Sequence, residues 1–115
     1  MQEIYQEWTR RGLQRELKNW KDSSGTTALM RATVGGQLDI CQWLLKHDLV
    51  DVKSKNFEGW NALHFAANFY RTEIISFLLK ETSIDVDEKT DDGWTPFDFG
   101  AQIRIILEYS VEMNY

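Results

Sequence analysis

Gly59-Trp60-Asn61-Ala62-Leu63-His64-Phe65-Ala66-Ala67, continued by Ile74-Ile75-Ser76-Phe77-Leu78-Leu79 and Ile84-Asp85-Val86, decides how this chain folds, because it occurs nearly twice. Thirty-four residues earlier stand Gly25-Thr26-Thr27-Ala28-Leu29, then Ile40-Cys41-Gln42-Trp43-Leu44-Leu45 and Val50-Asp51-Val52. A third copy opens at Gly93-Trp94-Thr95-Pro96-Phe97. Self-similarity at a fixed spacing of about 20 to 50 residues marks a stacked array of one supersecondary unit. No unit of such an array buries its apolar face alone, so its neighbours must cover it.

The second copy reads as a sequence of physical parts. Asn56-Phe57-Glu58-Gly59 is a turn, with a glycine free to take positive φ. Asn61 stands where a helix N-cap belongs, and Thr27 and Thr95 hold that place in the other copies. Pro96 follows Thr95 at the first helical position, where a missing N–H costs nothing. A short helix from about Ala62 to Phe69 presents Leu63, Ala66 and Ala67 on one side. A second, from about Thr72 to Lys80, is apolar on more than one side and must be covered by the units beside it. Thr82-Ser83-Ile84-Asp85-Val86 then returns the chain to the next turn.

The stretches Gly-Thr-Thr-Ala-Leu-Met-Arg-Ala (25–32), Gly-Trp-Asn-Ala-Leu-His-Phe-Ala-Ala (59–67) and Gly-Trp-Thr-Pro-Phe-Asp (93–98) resemble the ankyrin-repeat family. Gly36-Gln37-Leu38-Asp39-Ile40 and Glu73-Ile74-Ile75 fit the start of that family's second helix, so the likeness covers about residues 22–110. It implies an all-α solenoid of helix-turn-helix repeats with short β-turn tips, about three repeats in one domain over 1–115. In that register 1–21 is a helical N-terminal cap and 22–55 the first repeat. The second repeat is 56–89, and 90–115 is a truncated repeat serving as C-terminal cap. Within the cap, Gly12 divides the sequence into two short helices.

Two departures stand out. Each full copy carries one residue more than the family's usual period of 33, before Asp51 and Asp85. The glycine expected between the helices is Gly36 in the first repeat but Tyr70 in the second, which predicts a locally altered turn, since positive φ is costly for Tyr.

Composition bounds the function. An apolar fraction of 43% in 115 residues suits one folded domain. The single cysteine, Cys41, allows no internal disulfide framework, which fits a reducing compartment and an intracellular, cytoplasmic protein. Nothing approaches the roughly 18 consecutive apolar residues of a membrane span. The net charge of −5 is uneven: residues 1–22 carry +1, 23–80 carry +1, and 81–115 carry −7 from nine acids against Lys89 and Arg104. That acidic third is a poor surface for nucleic acid and favours a basic protein partner.

Chemistry finds little purchase. Cys41 lies among Ile40, Trp43 and Leu44 and reads as a buried apolar residue rather than a nucleophile. His64 holds the family's histidine position, which implies a ring that binds neighbouring backbone. His47 lies between Lys46 and Asp48 with no cysteine or acid pattern that suggests a metal site. No phosphate loop, paired-His motif or nucleophile elbow occurs. The expectation is a non-enzyme with no catalytic, cofactor or metal residues, monomeric or weakly dimeric.

Binding is the remaining class. The resemblance implies a concave groove lined by turn tips and first helices, which the family commonly uses for partners. In that register Phe57, Glu58 and Trp60 form one tip, Asn68 and Phe69 end the adjoining helix, and Asp91, Asp92 and Trp94 form the next tip. Trp is a favoured anchor because it buries a large rigid area and still offers an N–H. Trp60 and Trp94 share a register and should lie side by side, either gripping a partner or only packing between repeats. The expected function is a protein–protein interaction module binding through groove and tips. The alternative is a stand-alone inhibitor or immunity-like antidote that occludes a basic site on a toxic or host enzyme.

Overall fold

Side chains at three equivalent positions start the inner helices. The computed structural model describes residues 13–100 and Ile103. Its helices are α1 (Leu13–Lys18), α2 (Ala28–Val34), α3 (Leu38–Lys46), α4 (Ala62–Asn68), α5 (Thr72–Glu81) and α6 (Pro96–Phe99). Thr27 Oγ1 accepts from the N–H of Met30 at the head of α2, and Asn61 Oδ1 accepts from the N–H of His64 at the head of α4. At α6 the Asp98 carboxylate accepts from both the N–H and the hydroxyl of Thr95, with Pro96 at the first turn. These caps satisfy donors that a helix start otherwise leaves open, each contributing about 1 kcal/mol.

The inner helices α2 and α4 end in one repeated motif. Gly36 N–H donates to the Thr33 carbonyl and Gln37 N–H to the Ala32 carbonyl, with Gly36 at φ 71°. In the second repeat Tyr70 N–H donates to Ala67 and Arg71 N–H to Ala66. This is the two-bond left-handed helix ending. Tyr70 itself takes φ 58°, so the turn expected to differ is the same turn. The two hydrogen bonds outweigh a left-handed penalty of about 1–2 kcal/mol, and the Tyr side chain simply points into solvent, 73% exposed. Helix α3 ends the same way, with Asp48 at φ 55°.

Helices α2, α4 and α6 pack in series as an inner row, with α3 and α5 behind them. Small residues set the spacing: Ala32, Ala62, Ala66 and Ala67 are all buried, so backbones approach closely. Leu29, Leu63, Ile74, Ile75, Leu78 and Ile103 fill the space between layers. Truncating one such residue, Leu63 for instance, would cost about 2–5 kcal/mol. Cys41 is fully buried in this core, its thiol beside the Thr33 hydroxyl, and burial pushes its pKa up. The break expected at Gly12 lies outside the described residues, as does most of the C-terminal cap expected over 90–115.

Bonds across the repeats complete the stack. The Arg71 guanidinium donates twice to the carbonyl of Val34, at 3.0 and 2.7 Å, closing the end of α2 from the next repeat. No helix among the described residues is long and apolar enough to cross a membrane.

Candidate functional site

The turn tips are built alike. Asp22, Asn56 and Thr90 open them, and each N–H bonds the carbonyl four residues on, at Thr26, Trp60 and Trp94. The side chains of the same three residues accept from the backbone ahead: Asp22 from Ser24 and Thr26, Asn56 from Glu58 and Trp60, Thr90 from Trp94. Gly25, Gly59 and Gly93 complete the turns at φ between 81° and 87°. A side chain placed two residues after each glycine therefore caps a helix, and one placed two residues before it sits on a rigid outer corner.

Phe57 and Glu58 occupy such a corner. The Phe57 ring lies against Gly25 of the preceding tip yet stays 68% exposed. Asp91 and Asp92 hold the next corner, and the N–H of Asp91 donates to the carbonyl of Glu58, which brings these residues together. Asn68 and Phe69 are exposed at the far end of α4, about 10 Å along the helix from Trp60. Phe69 is 42% exposed.

The two tryptophans part company. Trp60 is half-buried, its ring centre 4.9 Å from that of Phe65 and 4.6 Å from that of Phe99. Among the described residues Trp94 meets the far side of this cluster, 6.5 Å from Phe99, and is 53% exposed. The indoles therefore do not stack on each other; both lean on Phe99, and a row Phe65–Trp60–Phe99–Trp94 runs along the inner-helix face. Phe65 and Phe99 join this surface beyond the residues expected from sequence, and their spacing of 34 residues puts them in one register. In the first repeat that register holds Arg31, bonded to Asp22, so the aromatic row begins only at the second repeat.

His64 supports the row from beneath. It is fully buried; Nδ1 accepts from the N–H of Asn61 at 3.0 Å, and Nε2 lies 3.1 Å from the carbonyl oxygen of Trp94. Two such partners require the neutral ring with its proton on Nε2. Burial lowers the ring's pKa in agreement. The histidine thus binds neighbouring backbone, as the resemblance implied.

The structure divides the acidic residues into two groups. Asp22, Asp85 and Asp98 are engaged in their own turns or caps, and Glu88 pairs with Lys55. No described residue pairs with the carboxylates of Glu58, Asp91 or Asp92, which are exposed on the same two tips as Phe57 and Trp94. Among the described residues no group of three or more His, Cys, Asp or Glu is arranged to hold a metal.

A family model for ankyrin repeats in three copies matches residues 48–112, and a single-repeat model matches residues 24–57. The chain belongs to the ankyrin-repeat family. Ankyrin repeats are generally protein–protein interaction modules, and typically non-catalytic. No curated protein matches the chain. This ankyrin-repeat stack holds its second inter-helix turn with Tyr70 in the left-handed region, where the first uses Gly36.

Proposed function

We propose that the chain is a non-catalytic binding module that grips a partner protein through its tips and inner-helix face. The supporting observation is the exposure of Phe57 and Trp94 on tips that also carry three carboxylates without partners among the described residues, Glu58, Asp91 and Asp92. Leaving large rings in water forfeits the burial that folding would give them, and a partner's surface restores it. Trp60 offers one face of the same row, and Asn68 with Phe69 extends the footprint along α4. The matching surface is an apolar or aromatic spot within a basic patch. Rigid tips limit the ordering entropy lost on association.

The work is done in a reducing compartment, where Cys41 stays a thiol. Occluding a basic site on an enzyme, as an inhibitor or antidote, is one use of this surface. Pull-down with tagged protein from source lysate, at low and high salt, tests the reading. A partner captured at low salt and lost both at high salt and with Trp94→Ala supports it, and its identity distinguishes a scaffold from an inhibitor. Capture indifferent to salt and to Trp94 would place the contact elsewhere.

A further inference from the structure

Each of the first two tips is closed by the tip that follows it. The N–H of Phe57 donates to the Ser24 carbonyl at 3.0 Å, and the N–H of Asp91 to the Glu58 carbonyl at 2.9 Å. Under each bond lies a glycine with no room for more: a Cβ on Gly25 would stand 2.9 Å from the Phe57 nitrogen, and one on Gly59 2.8 Å from the Asp91 nitrogen. A lysine spans each junction as well. Lys21 Nζ donates to the Lys55 carbonyl at 3.2 Å, and Lys55 Nζ pairs with Glu88 at 3.4 Å. Residues 21, 55 and 89 are all lysine, at the repeat spacing.

At the third tip all three elements stand open among the described residues. The Asp92 carbonyl, in register with those of Ser24 and Glu58, accepts no bond. Nothing lies within 4 Å of a Cβ on Gly93. Lys89 is exposed and makes no hydrogen bond or salt bridge with a described residue, although its charge acts on Asp98. The first tip is open in the complementary sense. The Ser23 N–H, in register with those of Phe57 and Asp91, finds no described acceptor, and the Lys21 carbonyl, in register with that of Lys55, finds no described donor.

We propose that the third tip of one molecule takes the first tip of a second copy, head to tail. Ser23 N–H of the second copy donates to the Asp92 carbonyl, its small side chain lies over Gly93, and its Lys21 carbonyl receives Lys89. Charge favours the pairing, since residues 81–115 carry −7 and residues 1–22 carry +1. The contact joins two different surfaces, so it propagates as an open chain rather than closing into a pair. This inference is argued from the junction geometry and not from the partner-binding reading above, and its contact at Asp92 and Gly93 competes with a partner held at the same tip.

Sedimentation equilibrium from about 10 μM to about 1 mM protein, at low salt, is the test. The expected weight-average mass rises from the monomer's 13.5 kDa past twofold without a plateau. Ser23→Pro removes the donor at the second position of a turn, where proline suits the backbone. That variant should stay monomeric alone and, added to the unaltered protein, shorten its assemblies as a chain terminator. A monomer throughout, a plateau at two copies, or association untouched by Ser23→Pro would each overturn the proposal. Should Ser23→Pro lose helical signal, amide exchange of Ser23 in the unaltered protein decides. Exchange several-fold slower at high concentration supports the contact, and an unchanged rate overturns it.

Discussion

Nε2 of His64 lies 3.1 Å from the carbonyl oxygen of Trp94, so one buried ring in the second repeat holds the third tip in place. The same ring accepts the Asn61 N–H on Nδ1, and a proton there would set two donors face to face. Burial depresses the folded-state pKa below its ordinary value of about 6.5, so the unfolded chain takes the proton first. The stability held by neutral His64 is complete above that value and is lost as pH falls below it. Urea midpoints should decline from pH 7.5 to pH 5, and His64→Gln should flatten that decline. A wild-type midpoint constant over this range would sink the idea. A second loss follows below about pH 4, as Asp22 and Asp98 protonate. Turn and capping hydrogen bonds hold both carboxyls below their usual range, from Ser24 and Thr26 on Asp22 and from Thr95 on Asp98.

Tyr70 and Gly36 hold one backbone conformation with unequal ease. Tyr70→Gly should stabilise the protein by about 1 kcal/mol, since the exposed ring contributes little packing and the left-handed penalty disappears. Gly36→Ala should destabilise it by about 1–2 kcal/mol, because the new Cβ adopts that penalty and meets the Arg71 guanidinium at 3.2 Å. Thermal midpoints of the two variants should move in opposite directions, and a shared direction would contradict the assignment.

Arg71 joins repeats through a fork that lysine cannot reproduce. Arg71→Ala should cost about 2 kcal/mol by leaving the Val34 carbonyl at the end of α2 without its two donors. Arg71→Lys should recover only part of that loss. Denaturant midpoints measure both, and equal values for Lys and Arg would mean that charge alone matters.

Trp60 and Trp94 should separate stability from binding. Trp60→Ala opens the space between Phe65 and Phe99 and should cost about 2 kcal/mol. Trp94→Ala should stay within about 1 kcal/mol of the unaltered protein, because its anchoring contact is made by backbone. Calorimetry of the two variants checks this directly, and comparable losses would make Trp94 a packing residue too.

The stack itself was legible because its determinants are local. Thr27, Asn61 and Thr95 announce helix starts by chemistry, and Pro96 confirms one of them. Helices expected over about 62–69 and 72–80 run over 62–68 and 72–81. Tyr70 misled because φ cost is a residue's own property, whereas the helix-ending bonds to Ala66 and Ala67 are made by its surroundings. The candidate site was half legible. Corners such as Phe57 follow from the register, but the division between Trp60 and Trp94 depends on where Phe99 lands after a very short α6. Likewise, which carboxylates remain without partners depends on side-chain bonds that no spacing reveals.

The junction bonds have a mechanical meaning. Arg71 to Val34, Phe57 to Ser24, Asp91 to Glu58 and His64 to Trp94 each connect one repeat only to the next. Tension applied to the two ends would therefore load these links in sequence, not together. The stack should yield by peeling from whichever end has the weaker junction, with the extension released in steps of one repeat's length, and the surviving repeats should still serve as a template on which the released one winds back.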